Sequence, residues 1–320
     1  MSDQVAVMAD HDRLARARDL AEPVITCVGE ILLGKDHEIR LAMTCLLARG
    51  HLLVEDLPGV GKTLFARALA GALGLEFRRI QFTSDLLPAD VIGVSVFEQS
   101  TSEFRFHPGP LFAHVVLADE VNRATPKAQS ALLEAMEEHQ VTAEGVTYDL
   151  PAPYFVIATQ NPQHQIGTFP LPESQLDRFL MRLGLGYPGE ALERELLRGG
   201  DRRGMIKTLE PVLTAEQLIE LQAAASTVHV AEPLLDYAQA LIAYTRQSPD
   251  FEYGLSPRAA VDLLAAARAW SMLSGHRGVR PEDLKAVFPA VAAHRLTTRD
   301  PNGRRPEEMA QQLLERVPLP

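Results

Sequence analysis

The segment Asp56-Leu57-Pro58-Gly59-Val60-Gly61-Lys62-Thr63 joins a short apolar run, 51–55, to a stretch of helical periodicity that begins at Lys62. Gly59 and Gly61 lack a Cβ atom, so the backbone can turn tightly and direct its N–H groups at one anion. The N-terminus of the following helix adds the positive end of a dipole. Lys62 can reach the β- and γ-phosphates of a nucleotide, and the Thr63 hydroxyl can ligate Mg²⁺. The segment therefore predicts a phosphate-binding loop, with Asp56 in place of the motif's first glycine.

Further apolar runs alternate with helical stretches on both sides of this loop. Short buried strands are bounded by turn residues, whereas helices repeat their apolar positions every three or four residues. The alternation predicts an α/β fold with a mostly parallel, five-stranded sheet covered by helices on both faces. The predicted strands are residues 51–55, 77–82, 115–118, 154–158 and 179–185.

The pattern changes after Pro188, where helix signals dominate. Thr214 and Gln217 form a capping box, and Ser256 precedes a proline at the first position of another predicted helix. Glycines cluster between residues 186 and 206, as expected at a joint between domains. We therefore expect a nucleotide-binding αβα core over residues 1–188 and an all-α domain over residues 189–320.

Two adjacent acids, Asp119 and Glu120, end the apolar run that begins at Val115. Open α/β sheets place ligands at strand tips, and neighbouring residues on a strand point to opposite faces. Asp119 can then hold a Mg²⁺ ion while Glu120 polarises a water molecule for attack on the γ-phosphate. An isolated Asp-Glu pair would be ordinary; the phosphate loop upstream makes the catalytic interpretation the better one.

Three further polar residues lie at the ends of predicted strands or helices. Asn161 follows the fourth strand and can orient the attacking water without adding charge. Arg178 is a candidate arginine finger, a residue that stabilises charge on the transferred phosphoryl group. Arg258 lies in the first turn of a helix, where a cation opposes the helix dipole unless an anion is near. A nucleotide phosphate is one such anion.

The composition favours an ordinary globular protein that does not bind nucleic acid. The formal net charge is −11 over 320 residues, whereas proteins that bind nucleic acid usually carry a basic face. No apolar run is long enough to cross a bilayer, and the first twenty residues lack the apolar core of a signal peptide. We expect a cytoplasmic protein. The histidines and the two cysteines lack zinc-ligand spacing, so no zinc site is predicted.

Taken together and in order, these segments resemble the MoxR family of AAA+ ATPases. The resemblance spans residues 25 to 300 and is carried jointly by several segments, any one of which alone would be weak. They are Glu-Asp-Leu-Pro-Gly-Val-Gly-Lys-Thr at 55–63, Leu-Leu-Pro-Ala-Asp-Val-Ile-Gly at 86–93, His-Pro-Gly-Pro-Leu-Phe at 107–112, Leu-Ala-Asp-Glu-Val-Asn-Arg-Ala-Thr-Pro-Lys at 117–127, Ala-Thr-Gln-Asn-Pro at 158–162, Leu-Pro-Glu-Ser-Gln-Leu-Asp-Arg-Phe at 171–179 and Ser-Pro-Arg-Ala at 256–259.

The resemblance implies roles for individual residues. Lys62, Glu120, Asn161 and Arg178 would be catalytic, with Asn161 as sensor 1 and Arg178 acting on a neighbouring subunit. Thr63 and Asp119 would bind Mg²⁺, and Arg258 would be sensor 2 from the helical lid. ATP would lie between core and lid, with residues 31–34 near the adenine. The implied ATP-binding residues are Gly34, Pro58, Gly59, Val60, Gly61, Lys62, Thr63, Leu64 and Arg258.

The resemblance also implies a mode of action. AAA+ proteins typically form rings of six, and MoxR proteins act as chaperone-like remodellers that mature or activate partner complexes. Their partners often contain von Willebrand factor A domains. Residues 94–106 and 140–150 match two hairpin insertions that face the pore in related ATPases, although both could be plain surface hairpins. Arg123 could lie at a subunit interface.

Three other functions remain open on the sequence alone. A nucleic-acid motor shares these motifs, but the acidic composition disfavours it. A motor subunit of a metal chelatase is a close relative. A nucleotide-gated scaffold would bind ATP without turnover, yet it would not need the water-activating acid that Glu120 provides. The sequence identifies neither the client nor the number of subunits in the ring.

Overall fold

A computed structural model describes residues 2–161, 168–199, 202–299 and 305–319, with side chains from residue 14 onward except that of Arg203. Pro162 of the 158–162 segment and Gly200 of the glycine cluster lie outside these residues. The helices are α1 Ser2–Ile31, α2 Asp36–Leu47, α3 Lys62–Ala72, α4 Pro88–Ile92, α5 Pro126–Glu138, α6 Glu173–Leu176, α7 Glu190–Leu197, α8 Arg202–Lys207, α9 Ala215–Ser226, α10 Glu232–Gln247, α11 Pro257–Leu273, α12 Pro281–Ala292 and α13 Pro306–Arg316. The strands are β1 Leu52–Glu55, β2 Phe77–Gln81, β3 Gly93–Glu98, β4 Glu103–Pro108, β5 Val115–Asp119, β6 Gln140–Ala143, β7 Val146–Asp149, β8 Phe155–Gln160, β9 Met181–Leu183, β10 Phe251–Tyr253 and β11 Thr297–Thr298.

Five strands form the central sheet in the order β2-β5-β8-β1-β9, and every neighbouring pair is parallel. This confirms the predicted α/β fold and its five-stranded sheet. Because β5, β8 and β1 are neighbours, their carboxyl ends meet at one edge of the sheet. The phosphate loop follows β1, the Asp-Glu pair ends β5 and Asn161 follows β8, so the topology gathers the predicted site residues at this edge.

Alternate residues of the strands fill two hydrophobic layers. On β1, Leu52 and Val54 face a layer with α1, α2, α3 and the helices after residue 213, whereas Leu53 faces a second layer with α4 and α5. β5 and β8 divide their side chains in the same way. This period of two, with apolar residues on both faces, is the pattern of a parallel sheet covered on both sides.

Both predicted hairpins form. β3 pairs with β4 in antiparallel register from Gly93↔Pro108 to Glu98↔Glu103, and β6 pairs with β7 around a turn at Glu144 and Gly145. Both turn residues have positive φ, 52° and 81°. A two-residue turn of this kind matches the twist of the adjoining strands.

The helical lid forms as predicted, with one exception. Thr214 and Gln217 complete the capping box, and Ser256 caps α11 by accepting a hydrogen bond from the Ala259 N–H. The exception is a short antiparallel pair, β10 with β11, within the otherwise helical lid. Each has at most three residues, too few for a clear alternating pattern to appear in the sequence. Among the described helices, none has the length and apolarity needed to cross a bilayer.

Candidate functional site

The phosphate loop has the backbone geometry that its glycines predict. Gly59 and Gly61 have φ of 88° and 98°, a region that favours glycine. Gly61 is the N-cap of α3, so the loop lies directly on a helix N-terminus. A Cβ atom built on either glycine would meet nothing within 4 Å, and the space in front of the loop is therefore open to a ligand.

Lys62 is held by three acceptors from the ends of two strands, β1 and β8. Its Nζ donates to the carbonyl oxygen of Asp56 at 2.6 Å, to that of Gln160 at 3.5 Å and to Oδ1 of Asn161 at 3.3 Å. Burial lowers the pKa of Lys62, and the carboxylates around it, Asp119 and Glu120 among them, oppose that shift. The ammonium is thus placed at the mouth of the loop with neutral acceptors that a phosphate can replace.

Asp56 is compatible with the loop because its carboxylate is used elsewhere. Oδ1 accepts a hydrogen bond from the Leu57 N–H at 2.7 Å, and Oδ2 accepts one from the Gly186 N–H at 2.5 Å. The side chain therefore ties the start of the loop to the segment that follows β9. This contact explains how an acid can replace the motif's first glycine.

Asp119 is buried at the end of β5 and is held on both oxygens. Oδ1 accepts a hydrogen bond from the Thr159 hydroxyl at 2.6 Å. Oδ2 accepts two from Arg79, from Nε at 3.1 Å and from Nη2 at 2.5 Å. The carboxylate is consequently fixed in orientation, as an ion-binding group should be.

Glu120 turns away from the strand direction and faces Asn161. Its backbone has φ 58° and ψ 47°, a left-handed conformation that is uncommon for a residue other than glycine and often occurs at functional sites. Oε1 accepts a hydrogen bond from Nδ2 of Asn161 at 2.9 Å, and Oε2 accepts one from Nε2 of Gln81 at 3.1 Å. Arg123 also pairs with Oε2, at 3.1 Å. Amide donors on both oxygens keep the carboxylate in one position.

These groups line one cavity of about 680 Å³, a size typical of ligand pockets. The structure brings nine of the sequence-predicted residues to it, and adds four that the sequence analysis did not select. The predicted residues are Pro58, Gly59, Gly61, Lys62, Thr63, Leu64, Asp119, Glu120 and Asn161, and the added ones are Arg67, Arg79, Ile206 and Lys207.

Gly34 and Val60 are not among the lining residues. Gly34 has φ 67° between α1 and α2, and a Cβ atom there would lie 2.2 Å from Cδ1 of Leu192. The positive φ favours glycine at this position, and the close approach of the Leu192 side chain of α7 adds to that preference. Arg202 of α8 donates to the carbonyl oxygen of Glu30 at 2.9 Å, so α8, which carries Ile206 and Lys207, lies beside the end of α1.

Arg178 and Arg258 also lie outside this cavity. They line a separate cleft of about 190 Å³ together with Arg49, Glu137 and Asp262. One oxygen of Glu137 pairs with Arg178 and the other with Arg258. The anion that compensates Arg258 at the start of α11 is thus a carboxylate of the same chain, whereas the sequence analysis named a nucleotide phosphate.

Arg79 and Gln81 contact the two acids of the site and were not predicted from the sequence, although a signal existed. They are two residues apart at the carboxyl end of β2, so they share one face of the strand. β2 is the neighbour of β5 in the sheet, and Gln81 lies directly opposite Asp119 in the register. The signal is two polar side chains, two residues apart, at the end of a strand that neighbours the strand of the Asp-Glu pair.

The donor set of the cavity fits Mg²⁺. The Thr63 hydroxyl and the Asp119 carboxylate both line it, and Mg²⁺ prefers oxygen ligands supplemented by phosphate oxygens and water. A bound Mg²⁺ would neutralise charge that develops on the phosphate oxygens. Around it the chain offers an ammonium, the backbone N–H groups of the phosphate loop and a carboxylate held by two amides, an arrangement suited to the cleavage of a phosphoanhydride.

Comparisons with known proteins agree with this geometry. Residues 51–181 match the model of the ATPase family associated with various cellular activities (AAA), and residues 243–317 match the model of an AAA lid domain. A crystal structure of a candidate ATPase from Cytophaga hutchinsonii superposes with a TM-score of 0.90 and 34% identity, covering 98% of this chain and 99% of the other.

Curated relatives extend the likeness over most of the chain. The uncharacterized protein YeaC of Bacillus subtilis is 46% identical over 84% of either chain. Chaperone MoxR1 of Mycobacterium tuberculosis is 40% identical, covering 86% of this chain and 75% of its own, and Protein MoxR of Methylorubrum extorquens is 33% identical over 87% and 88%. With the phosphate loop, the paired acids and the helical lid in place, this chain belongs to the MoxR family of AAA+ ATPases.

Proposed function

We propose that the protein is a Mg²⁺-dependent ATPase that hydrolyses ATP to ADP and phosphate and acts as a ring-forming, chaperone-like remodeller of partner protein complexes. The observation that carries the ATPase proposal is the convergence of Lys62, Asp119, Glu120 and Asn161 on one cavity behind an open phosphate loop. We assign nucleotide binding to a core over residues 1–188 and a lid over residues 189–320.

Each side chain has a distinct role in the proposed reaction. Lys62 and the N–H groups of the loop bind the β- and γ-phosphates. Glu120 accepts a proton from the attacking water molecule, and its hydrogen bond from Asn161 keeps the carboxylate aimed at that water. Thr63 and Asp119 hold the metal ion.

Arg178 and Arg258 are proposed to act on the nucleotide of a neighbouring subunit. Neither lines the cavity of its own chain, and both converge on Glu137 in a separate cleft. A guanidinium supplied by a neighbour can stabilise the charge of the transition state, typically by 10³- to 10⁵-fold in rate. A single subunit would then be an incomplete enzyme, and a closed ring, proposed here as a hexamer, would complete every site.

The hairpin β3–β4 is proposed to contact the client. Four of its apolar side chains are exposed, and Phe104 has 74% of its surface accessible and stacks edge-on with Phe97 at 5.3 Å between ring centroids. Exposed apolar groups on a projecting hairpin are typical of a surface that binds other proteins. A partner with a von Willebrand factor A domain and a cytoplasmic location are proposed on the family resemblance.

Steady-state ATPase activity against protein concentration tests the proposal. We expect turnover per subunit of the wild type to rise with concentration as rings form. Glu120→Gln and Arg178→Ala should each lose turnover while still binding a fluorescent ATP analogue. If the assembled wild type binds ATP but does not hydrolyse it, the protein is a nucleotide-gated scaffold; stimulation by DNA would instead identify a nucleic-acid motor.

A further inference from the structure

Glu137 joins the ends of two helices, each of which carries a charge opposed to its own dipole. α5 has no basic residue in its last turn, where Glu137 lies, and Arg258 lies in the first turn of α11. An acid at a helix C-terminus and a cation at a helix N-terminus each oppose the helix dipole and are therefore unfavourable. The ion pair between Glu137 and Arg258 offsets both unfavourable interactions, so it favours the arrangement in which the two helix ends meet.

The same carboxylate holds Arg178. One oxygen of Glu137 accepts from Nη1 of Arg178 and the other from Nη2 of Arg258, so a single side chain sets the relative orientation of the two guanidinium groups. Arg178 is fixed further by a bond from Nη1 to the Leu133 carbonyl oxygen at 3.2 Å. Both arginines therefore depend on the last turns of α5.

The two arginines still have donors to spare. Within the part of the chain that the structure describes, Arg178 bonds through Nη1 and Arg258 through Nη2, whereas a guanidinium carries five N–H donors over three nitrogens. About a third of each side chain is exposed, 32% and 39%, and both line the cleft. An incoming phosphate can thus bind beside Glu137 without displacing it.

From these contacts we infer that Glu137 is the positioning residue of the arginine pair, and that it orients Arg178 and Arg258 together toward the nucleotide of the adjacent subunit. The inference rests on the proposed action of both arginines between subunits. Glu137 touches no reacting atom. Its effect on turnover comes through the geometry of the two guanidinium groups, for which a misplacement of about 1 Å can cost roughly 10²-fold in rate.

Two substitutions separate this role from simple packing. Glu137→Gln replaces one acceptor oxygen by an amide donor that faces a guanidinium, so we expect turnover to fall about 10²-fold. Glu137→Asp keeps both acceptor oxygens and the negative charge but shortens the side chain by one methylene, so its turnover should lie between those of Glu137→Gln and the wild type. The affinity of each variant's own cavity for a fluorescent ATP analogue should stay within about twofold of the wild type, because the two sites share no lining residue. Glu138→Gln, at an exposed neighbouring position, is the matched control.

Rings assembled from two different variants show which half of the shared site Glu137→Gln impairs. Subunits with Glu120→Gln have an intact arginine pair, and subunits with Glu137→Gln have an intact cavity, so mixing the two should give several times the summed activity of the separate proteins. A mixture of Glu137→Gln with Arg178→Ala should show no such gain, since both defects lie in the same half of the site. The mixture of Glu120→Gln with Arg178→Ala serves as the reference.

The outcomes are distinguishable. If the reference mixture recovers activity and the Glu137→Gln mixture does not, the inference about Glu137 is wrong while the shared site stands. If Glu137→Gln alone is as active as the wild type or more so, Glu137 does not position the arginines. If the reference mixture also fails, the proposed action of Arg178 between subunits is wrong.

Discussion

Arg79 holds the carboxylate of Asp119 through two nitrogens, Nε at 3.1 Å and Nη2 at 2.5 Å from the same oxygen, Oδ2. The guanidinium is itself steadied by Gln81, whose Oε1 accepts from Nη2 at 2.6 Å. Asp119 is also the proposed Mg²⁺ ligand. The guanidinium places a positive charge directly beside the carboxylate that would hold the cation, so Arg79 would compete with Mg²⁺ for the charge of Asp119.

We therefore predict that Arg79→Met strengthens Mg²⁺ binding. The ion pair is partly exposed, with 41% of the Arg79 side chain accessible, so its interaction free energy is about 1 kcal/mol. Removing that competition should lower the half-saturating Mg²⁺ concentration of the variant roughly fivefold. A titration of Mg²⁺ monitored by a fluorescent ATP analogue measures this directly. Arg78→Met on the same strand is the control, because Arg78 pairs with Glu76 at the surface. Weaker Mg²⁺ binding by Arg79→Met would show that Arg79 assists the metal site.

Substitutions of Asn161 can distinguish the effect of positioning from the effect of charge at Glu120, the proposed catalytic carboxylate. Its amide donates to Glu120 at 2.9 Å and accepts from Lys62 at 3.3 Å. Asn161→Asp would place a second carboxylate against Glu120, so we predict a loss of turnover of at least about 10²-fold, greater than for Asn161→Ala. Nucleotide affinity measured in parallel should change far less than turnover. Equal turnover of the two variants would show that charge at this position does not matter.

Most of the sheet and most of the residues that line the cavity could be predicted because they depend on local patterns. Apolar strands of four to six residues, the glycines of the phosphate loop and the paired acids at Asp119 and Glu120 are each visible within a short window. The carboxyl ends of parallel strands then meet at one edge by topology alone. Because β5 and β8 are buried on both faces, their sequences are mostly apolar, and such short apolar runs predict buried strands.

The remaining parts depend on contacts between distant segments. The partner of Arg258 is Glu137, which is 121 residues away in the sequence, and no periodicity links the two. Gly34 was assigned to the nucleotide, but its positive φ and its contact with Leu192 explain the glycine without a ligand. A short pair such as β10 with β11 depends on tertiary pairing, since three residues do not establish a period.

Buried His51 makes stability depend on pH. Its Nδ1 accepts from the Val156 N–H at 3.0 Å and its Nε2 donates to the Met136 carbonyl oxygen at 3.0 Å, so the neutral ring is the one the fold uses. Burial lowers the pKa of His51 from 6.5 to about 4. Between pH 4 and pH 6.5 the unfolded chain therefore binds more protons than the folded one. The contribution of neutral His51 to stability is complete above pH 6.5 and is lost as the pH falls toward 4.

From pH 7.5 to pH 5 we predict a loss of about 2 kcal/mol in the free energy of unfolding from this residue alone. Urea unfolding at the two pH values gives the loss for the wild type and for His51→Gln, which keeps a donor and an acceptor but does not titrate. The variant should be less stable at pH 7.5 and lose less on acidification. Burial also lowers the pKa of His294, so part of the dependence should remain. An identical loss in both proteins would show that His51 does not carry the effect.

Arg295 anchors the end of α12 to the segment before β9. Its side chain is 2% exposed and pairs with Asp177 at 2.8 Å and with Asp262 at 2.5 Å. It also donates to the carbonyl oxygens of Leu180 at 3.1 Å and Val291 at 2.8 Å. Burial raises the pKa of Asp262, and the adjacent Arg295 guanidinium opposes that shift.

Arg295→Met should accordingly lower the free energy of unfolding by about 3 kcal/mol, since it leaves two partly buried carboxylates without a cation. Adding Asp262→Asn should recover part of that loss, because the substitution removes one of the stranded charges. Arg305→Met is the matched control: Arg305 is 79% exposed and pairs with Glu308 at the surface, so the change should stay within about 0.5 kcal/mol. Urea unfolding gives the free energy of unfolding of the wild type and the three variants. If Arg295→Met is as stable as the Arg305→Met control, the buried cluster around Arg295 does not hold α12 in place.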